Sequence, residues 1–369
     1  MNLPEGPLLE IFLNLDYESA INLCQTNKET FNFCEKPYVW SFKAKRDFGI
    51  PPSELSLVPG RNNKAKYEWI YMNSNSNIGL IRSSGIGSLS LVKYFISQGA
   101  SNYTVALHHA ARNGHLNIVK FLVDNYPVDY NEGMSGAAIG GYLDIVKFFI
   151  SKGADDFNTA MIEAASKGHL DLVEFFISKG ADDFNEAMTY AAMNGYLDLV
   201  EFFISKGATG FNRAMYRAAK YGHLDIVKYL VEQGANDFST AMQQAARNGY
   251  LDIIKFLIRL DWRGYDGVME QAAEGGYLNI VQFMLDHGAK DINRSLIVAS
   301  IYGYLDIVKF LVSKGATNIN NALVSAAMFG QLDVVKFLLD QGADNYEEAI
   351  DAGRKHPDIV KMIKSRQYE

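Results

Sequence analysis

Three histidines recur at a fixed spacing, and histidine is a common metal ligand and proton carrier. His115, His169 and His223 lie 54 residues apart, with tyrosine at the equivalent positions between them. A metal site needs side chains that converge on one point, and tyrosine replaces histidine poorly there. His108 and His109 are adjacent, so they would diverge on a helix. We therefore predict that the recurring position packs and hydrogen-bonds within a repeated unit and holds no metal.

No other pattern in the sequence indicates catalysis. It contains no phosphate-binding loop, nucleophile elbow, zinc-ligand spacing or G-x-G-x-x-G motif. Gly85 and Gly87 form only part of such a motif, since the third glycine and a preceding strand are missing. We therefore expect that the protein is not an enzyme and binds no cofactor.

Composition and charge limit the kinds of partner. The net charge is −7, and residues 1–75 hold 8 Lys and Arg against 9 Asp and Glu. The absence of a basic block argues against nucleic acid as the main partner. No apolar run approaches the ~20 residues that a membrane span needs, and the N-terminus lacks the features of a signal peptide. We expect an intracellular protein of the cytoplasm or nucleus.

The chain has two cysteines, Cys24 and Cys34. Two thiols in a chain of 369 residues cannot form a disulfide framework. Free cysteine is often buried, and reducing compartments keep thiols reduced. We therefore predict two buried free thiols.

Glycine recurs every 27 residues along most of the chain. The anchors are Gly87, Gly114, Gly141, Gly168, Gly195, Gly222, Gly249, Gly276, Gly303 and Gly330. Most are followed by His or Tyr, then Leu, then Asp or Asn, then an apolar pair. Such a period indicates a repeat array, in which each unit buries its apolar face against its neighbours.

Each unit is predicted to contain two short helices and no strand. In the copy that begins at Phe157, helical spacing buries Ala160, Met161, Ala164 and Ala165. Gly168 ends the first helix in a left-handed conformation. We predict that the asparagine after each leading aromatic residue is an N-cap; the positions are Asn158, Asn185, Asn212, Asn293 and Asn320.

The unit resembles the ankyrin repeat over about residues 76–369. The segment Gly222–Leu230 matches the second-helix pattern G-H-L-D-I-V-K-F-L, with Tyr229 in place of Phe. The unit is six residues shorter than the usual 33, and N-x-A-M-x-x-A replaces T-P-L-H-x-A. The resemblance implies an all-α helical solenoid whose β-turn fingers are absent or reduced. Repeats of this kind look similar to those of large DNA viruses of amoebae.

Residues 1–48 lack the repeat and resemble the F-box, a small helical module that docks onto the Skp adaptor of a cullin-RING ubiquitin ligase. The resemblance implies these adaptor-binding positions: Leu3, Pro4, Leu8, Ile11, Leu15 and Trp40. Pro7, preceded by Gly6, stands where the family usually has leucine; proline is acceptable in a first helical turn. The alternative is that this segment is only a helical cap for the solenoid.

Three further features complete the expected organisation. Residues 49–75 form a connector with a helix near 64–72 that packs against a degenerate first repeat. Residues 76–369 form the solenoid, and the last unit, from Tyr346, is a polar C-terminal cap. The Gly-Ala turn is lost at Tyr126-Pro127 and Asp261-Trp262, which indicates either loop variation or, at Trp262, a bend or contact site.

Comparison of the copies shows where a partner would bind. Counted from the leading aromatic residue, positions 2, 5, 6 and 9 of the first helix vary, whereas positions 3, 4, 7 and 8 barely change. In ankyrin proteins this helix lines the concave side, so the resemblance implies that its varying residues bind a protein target. The candidates are Tyr190, Met193, Arg213, Tyr216, Arg217, Lys220, Gln244 and Arg247.

The varying positions continue beyond these candidates with an apolar row, at Ile297, Val298, Ile301, Val324 and Met328. We expect no carboxylate immediately beside Arg217. A solvated face that drifts without function is the alternative.

Two functions remain open from the sequence. The first is a substrate receptor, in which the F-box docks to the ligase and the solenoid holds a target for ubiquitination. The second is a scaffold or sequestering protein without a ligase link. In both, the protein is a monomer that binds other proteins, without nucleic acid or membrane as a partner.

Overall fold

The structure is a computed structural model, and it describes residues 6–26, 28–72, 76–260 and 264–367. Regular structure in these ranges is entirely helical, without a strand, as predicted for an ankyrin-type solenoid with reduced fingers. Contacts divide the chain into two compact units, Met1–Asp183 and Phe184–Glu369. Among the described residues, no helix is both long and apolar enough to cross a bilayer.

The first unit begins with an N-terminal module and continues with the first repeats. The module comprises α1 (Gly6–Asn14), α2 (Tyr17–Gln25), α3 (Lys28–Cys34), α4 (Pro37–Phe48), α5 (Pro52–Leu55) and α6 (Asn63–Met72). The repeats comprise α7 (Ser76–Ile86), α8 (Leu89–Ser97), α9 (Tyr103–Arg112), α10 (Leu116–Asn125), α11 (Tyr130–Gly140), α12 (Leu143–Lys152), α13 (Phe157–Ala165) and α14 (Leu170–Ser178).

The second unit consists of repeats alone. Its helices are α15 (Phe184–Asn194), α16 (Leu197–Ser205), α17 (Phe211–Tyr221), α18 (Leu224–Glu232), α19 (Phe238–Arg247), α20 (Leu251–Leu257), α21 (Tyr265–Gly275), α22 (Leu278–Asp286), α23 (Ile292–Tyr302), α24 (Leu305–Ser313), α25 (Ile319–Met328), α26 (Leu332–Asp340), α27 (Tyr346–Ala352) and α28 (Pro357–Gln367). A short 3-10 turn, Ile258–Leu260, follows α20.

Each repeat buries the residues that barely change between copies. Ala160, Met161, Ala164 and Ala165 are buried, and in the second unit each first helix packs on the first helices before and after it. Alanine suits these positions because its small side chain lets neighbouring helices approach closely. The helix then ends at Gly168 with φ +80°, in the left-handed conformation that was predicted.

The predicted N-cap role of the asparagines was wrong. Asn158 lies inside α13, whose N-cap is Asp156; the Asp156 carboxylate accepts from the Thr159 N–H at 3.1 Å. The Asn158 Oδ1 instead accepts from the backbone N–H groups of Asp182, at 2.8 Å, and Asp183, at 3.1 Å. Asparagine therefore bonds the loop of the following repeat, and the same pattern recurs at Asn185, Asn212, Asn293 and Asn320.

The two cysteines are buried as predicted, but they are not free thiols. Cys24 on α2 and Cys34 on α3 form a disulfide whose sulfurs are 2.01 Å apart. The free-thiol prediction was wrong because it rested on the small number of cysteines. It did not consider that the turn between α2 and α3 brings these two side chains together.

The connector packs on both sides. Tyr67 of α6 is buried against Trp40, with ring centroids 5.2 Å apart, so α6 shares the core of the N-terminal module. The carboxylate of Glu54, next to the end of α5, accepts from the Ser88 hydroxyl at 2.7 Å and from the Ser90 N–H at 3.1 Å. These two bonds tie the connector to the start of α8 in the first repeat.

Candidate interaction surfaces

The first surface lies on α1, which presents an apolar stripe to solvent. Leu8, Ile11 and Leu15 follow the i, i+3, i+7 spacing that places side chains on one helical face. Ile11 is 54% exposed, and Leu8 and Leu15 are half-buried. Pro7 lies in the first turn of α1, where its missing N–H costs no hydrogen bond. The adaptor positions Leu3 and Pro4 lie outside the described residues.

Trp40 lies in the core rather than on this surface. It is 1% exposed, its ring meets that of Phe12 edge-on at 5.0 Å, and its Nε1 donates to the Cys34 carbonyl at 3.0 Å. Its contribution to docking is therefore indirect, through the packing of α1 against α4.

A buried charged network lies beneath the α1 stripe. Lys43 on α4 has no solvent exposure, and its ammonium contacts the Asp47 carboxylate at 2.9 Å. Asp47 also accepts from the Tyr67 hydroxyl at 2.5 Å. Burial, followed by this hydrogen bond to Asp47, raises the pKa of Tyr67 above its ordinary value. The network thus links the docking helix to the connector.

The second surface is the varying side of the first helices in the second unit, called here the first-helix face. The predicted candidates all lie on it, in α15, α17 and α19. Three of them are exposed, namely Tyr190, Arg213 and Arg247. The others are half-buried, namely Met193, Tyr216, Arg217, Lys220 and Gln244.

Two of the predicted cations are paired with acidic residues of a neighbouring repeat. Arg213 forms an ion pair with Glu186, and Arg247 with Glu274. The members of each pair are 27 residues apart, so they hold equivalent positions in consecutive repeats. The face is therefore less cationic than the sequence suggested, and the repeat period itself is the pattern that identifies these pairs.

Arg217 and Lys220 keep their charges available. The Arg217 guanidinium lies 5.5 Å from the ring centroid of Tyr216, and the Lys220 ammonium lies 5.5 Å from that of Tyr221. Neither cation forms an ion pair with a carboxylate of the described residues. A guanidinium over a tyrosine face is held in place without losing its charge, which leaves this part of the face suited to an acidic group.

The structure adds an apolar groove that sequence comparison missed. It has a volume of about 550 Å³ and is lined by Glu274, Val298, Ile301, Tyr302, Phe329 and Gln331. Tyr302 and Phe329 occupy position 10, one beyond the positions singled out as varying. The change there from asparagine, as at Asn248, to an aromatic residue is visible in the sequence and could have identified the groove.

The recurring histidines hydrogen-bond between repeats, as predicted. The His223 Nε2 lies 3.1 Å from the Met193 carbonyl oxygen, and Gln331 makes the equivalent bond to the Ile301 carbonyl at 3.0 Å. A Cβ at Gly195 would lie 2.7 Å from the His223 ring, and Gly195 has φ +86°. The close approach of the ring therefore depends on glycine at the turn.

These features define a class of protein: a helical repeat array with an N-terminal docking module. Its surfaces offer apolar stripes, aromatic rings and cations. Comparison with known families agrees. Residues 1–42 match the F-box domain. Residues 65–154, 134–213, 188–267, 244–322 and 269–349 match the family described as Ankyrin repeats (3 copies).

Because these matches extend over more than half of the sequence, the chain belongs to the ankyrin-repeat family. Both families are interaction domains rather than catalytic ones. No curated protein matches the chain.

Proposed function

We propose that this protein is the substrate receptor of a Skp-cullin-F-box ubiquitin ligase. The observation that carries the proposal is the joining of two interaction domains in one chain, an F-box at residues 1–42 and ankyrin repeats at 65–349. An F-box supplies attachment to a ligase, and a repeat surface supplies attachment to a target. The protein itself would carry no active site.

The exposed stripe of α1 supports the adaptor half of the proposal. Leu8, Ile11 and Leu15 form an apolar surface that a partner would cover, with Leu3 and Pro4 extending it by resemblance to the F-box. An uncovered aliphatic stripe is a cost in water that docking removes. In this proposal the docking module is residues 1–48, followed by a connector (49–75), the solenoid (76–369) and its cap from about 346.

The first-helix face supports the target half. Tyr190, Tyr216, Arg217 and Arg247 belong to consecutive stacked first helices, and tyrosine and arginine are the residue types most often found in binding hot spots. Because Arg217 and Lys220 keep their charges, the fitting target has an acidic, partly apolar segment. The protein would act as a monomer in the cytoplasm or nucleus, of a host cell if its source is a large amoebal virus.

Proximity labelling in cells tests both halves together. The full chain, fused to a biotin-transferring enzyme, is compared with a Leu8→Ala/Ile11→Ala variant and with Arg217→Ala. We expect the wild type and Arg217→Ala to label the Skp adaptor and cullin, and the double variant to lose both. The target should still be labelled by the double variant, and its cellular level should rise.

The same experiment addresses the alternative function. If the wild-type chain labels neither adaptor nor cullin while a target is labelled through the first-helix face, the ligase role is excluded. The protein would then be a scaffold or sequestering protein without a ligase link.

A further inference from the structure

The apolar groove of the second unit exposes more aromatic surface than its repeat architecture requires. Tyr302 is 47% exposed and Phe329 is 53% exposed. Met328 and Leu332, next to Phe329 in the chain, are exposed as well. Contiguous exposed apolar side chains in a protein of this kind mark a binding site more often than a random surface.

The position of these two rings makes their exposure costly. At the equivalent position in other repeats the chain uses asparagine, and that side chain bonds the end of its own helix. The Asn194 Nδ2 donates to the Tyr190 carbonyl at 2.9 Å, and the Asn248 Nδ2 donates to the Gln244 carbonyl at 2.8 Å. Tyr302 and Phe329 give up that bond and place an aromatic ring in water, so a covering partner would recover free energy.

The groove also contains a polar group with spare capacity. Glu274 is mostly buried, and its Oε1 receives both the Arg247 guanidinium and the Tyr302 hydroxyl, the latter at 2.9 Å. No hydrogen bond from the described residues reaches its Oε2. Because Arg247 already balances the charge, the groove favours a neutral occupant that can donate one hydrogen bond to a carboxylate.

We propose that the groove receives one tryptophan or tyrosine side chain of the target. The ring would pack between Val298, Ile301 and the two exposed aromatic residues, while its N–H or O–H donates to Glu274. This inference rests on the proposed function, since it assumes that the target binds the first-helix face. It adds the chemistry of the anchor residue.

The unpaired cations set where the rest of the target segment lies. Arg217 is on α17 and Tyr302 is on α23, three first helices further along the stack. At about 8–10 Å between packed helices, the separation is roughly 25–30 Å. An extended peptide covers that distance with about eight or nine residues. The target segment therefore carries acidic residues about that far from its aromatic anchor.

A random-peptide display library, selected on the full-length chain, tests the inference. We expect the recovered peptides to share a tryptophan or tyrosine with acidic residues about eight or nine positions away. Their affinity should fall about tenfold or more in Phe329→Asn. This substitution installs the residue that the chain itself uses at this position, so folding should be preserved. Lys309→Asn, at an exposed site on α24, is the matched control and should bind as the wild type does.

A measurement on the wild-type chain alone makes the test independent of any variant. Saturation-transfer NMR compares N-acetyltryptophanamide with its 1-methylindole analogue, which lacks the ring N–H. The first compound should bind and the analogue should bind several-fold more weakly. Equal binding of the two compounds would exclude the hydrogen bond to Glu274 and overturn the proposal.

The peptide selection separates failure of this inference from failure of the proposed function. Peptides that are anchored by aliphatic or basic residues, or that ignore Phe329→Asn but are lost in Arg217→Ala, overturn the groove proposal and leave the target face intact. Peptides that are indifferent to both substitutions count against the whole first-helix face.

Discussion

The ammonium of Lys43 donates a hydrogen bond to the backbone carbonyl of Leu15, 2.6 Å away, from a fully buried position. Leu15 follows the last residue of α1, so this bond holds the end of the proposed docking helix. Orphan carbonyls at a helix C-terminus need such donors, and a cation there also interacts favourably with the helix dipole.

Lys43→Met should loosen α1 without disturbing the repeats. The substitution keeps an unbranched apolar stem but leaves the Leu15 carbonyl and the Asp47 carboxylate without their cation, at a cost of about 1–3 kcal/mol. Hydrogen–deuterium exchange should show faster exchange of α1 amides and unchanged exchange in the second unit. Lys45→Met, at an exposed site on the same helix, is the control; equal exchange in both variants would contradict the role of Lys43.

The N-terminal module should lose stability in alkali. Burial, followed by the charge of Glu68 and its hydrogen bond, raises the pKa of Tyr17 to about 12, and burial raises that of Tyr67 as well. A folded pKa above the unfolded value near 10 gives stability that is present below pH ~10 and lost as pH rises towards the folded pKa.

Unfolding of the module by urea, followed at several alkaline pH values, checks this expectation. The Tyr17→Phe/Tyr67→Phe variant should show a flatter dependence on pH above ~10 than the wild type. Tyr221→Phe, which changes an exposed tyrosine of the second unit, should leave the dependence unchanged. A wild-type module whose stability is constant across this range would refute the argument.

The sequence predicted the parts of the fold that depend on local periodicity. The 27-residue period identified the helix pairs, the buried alanines such as Ala164, and the left-handed turn at Gly168. It misassigned Asn158 because a polar residue near a helix start fits an N-cap equally well, whereas its partners lie 24 and 25 residues further on. It also missed the Arg247–Glu274 pair and the groove beside Phe329, since both arise only when repeats stack.

Asn212 offers a matched test of the bonds between repeats. Its Oδ1 accepts from the N–H groups of Asn236, at 2.7 Å, and Asp237, at 3.0 Å. Asn212→Ala should destabilise the second unit by about 1–3 kcal/mol, since two hydrogen bonds are lost. Asn212→Asp should cost less, because Asp266 makes the same pair of bonds in its own repeat. Urea denaturation measures both, and equal losses would show that these bonds contribute little.

Tyr216 and Arg217 should matter for binding and hardly at all for stability. Alanine at either position removes contact surface or charge from the first-helix face, which costs about 1–3 kcal/mol of target affinity if the residue is a hot spot. Exposed sites away from caps and cores usually change stability by about 0.5 kcal/mol or less. Melting temperature and target affinity are measured on the same variants, with Lys309→Ala as control. Unchanged affinity would move the target site towards Ile297, Ile301 and Val324.

Binding of the purified full-length chain to a purified Skp-type adaptor, measured by calorimetry, tests the central claim most directly. The account predicts saturable binding that weakens about tenfold or more in Leu8→Ala/Ile11→Ala and is retained in Glu10→Ala, which alters an exposed residue of α1 outside the apolar stripe. No binding by the wild-type chain, or equal binding by the double variant, would contradict the ligase role.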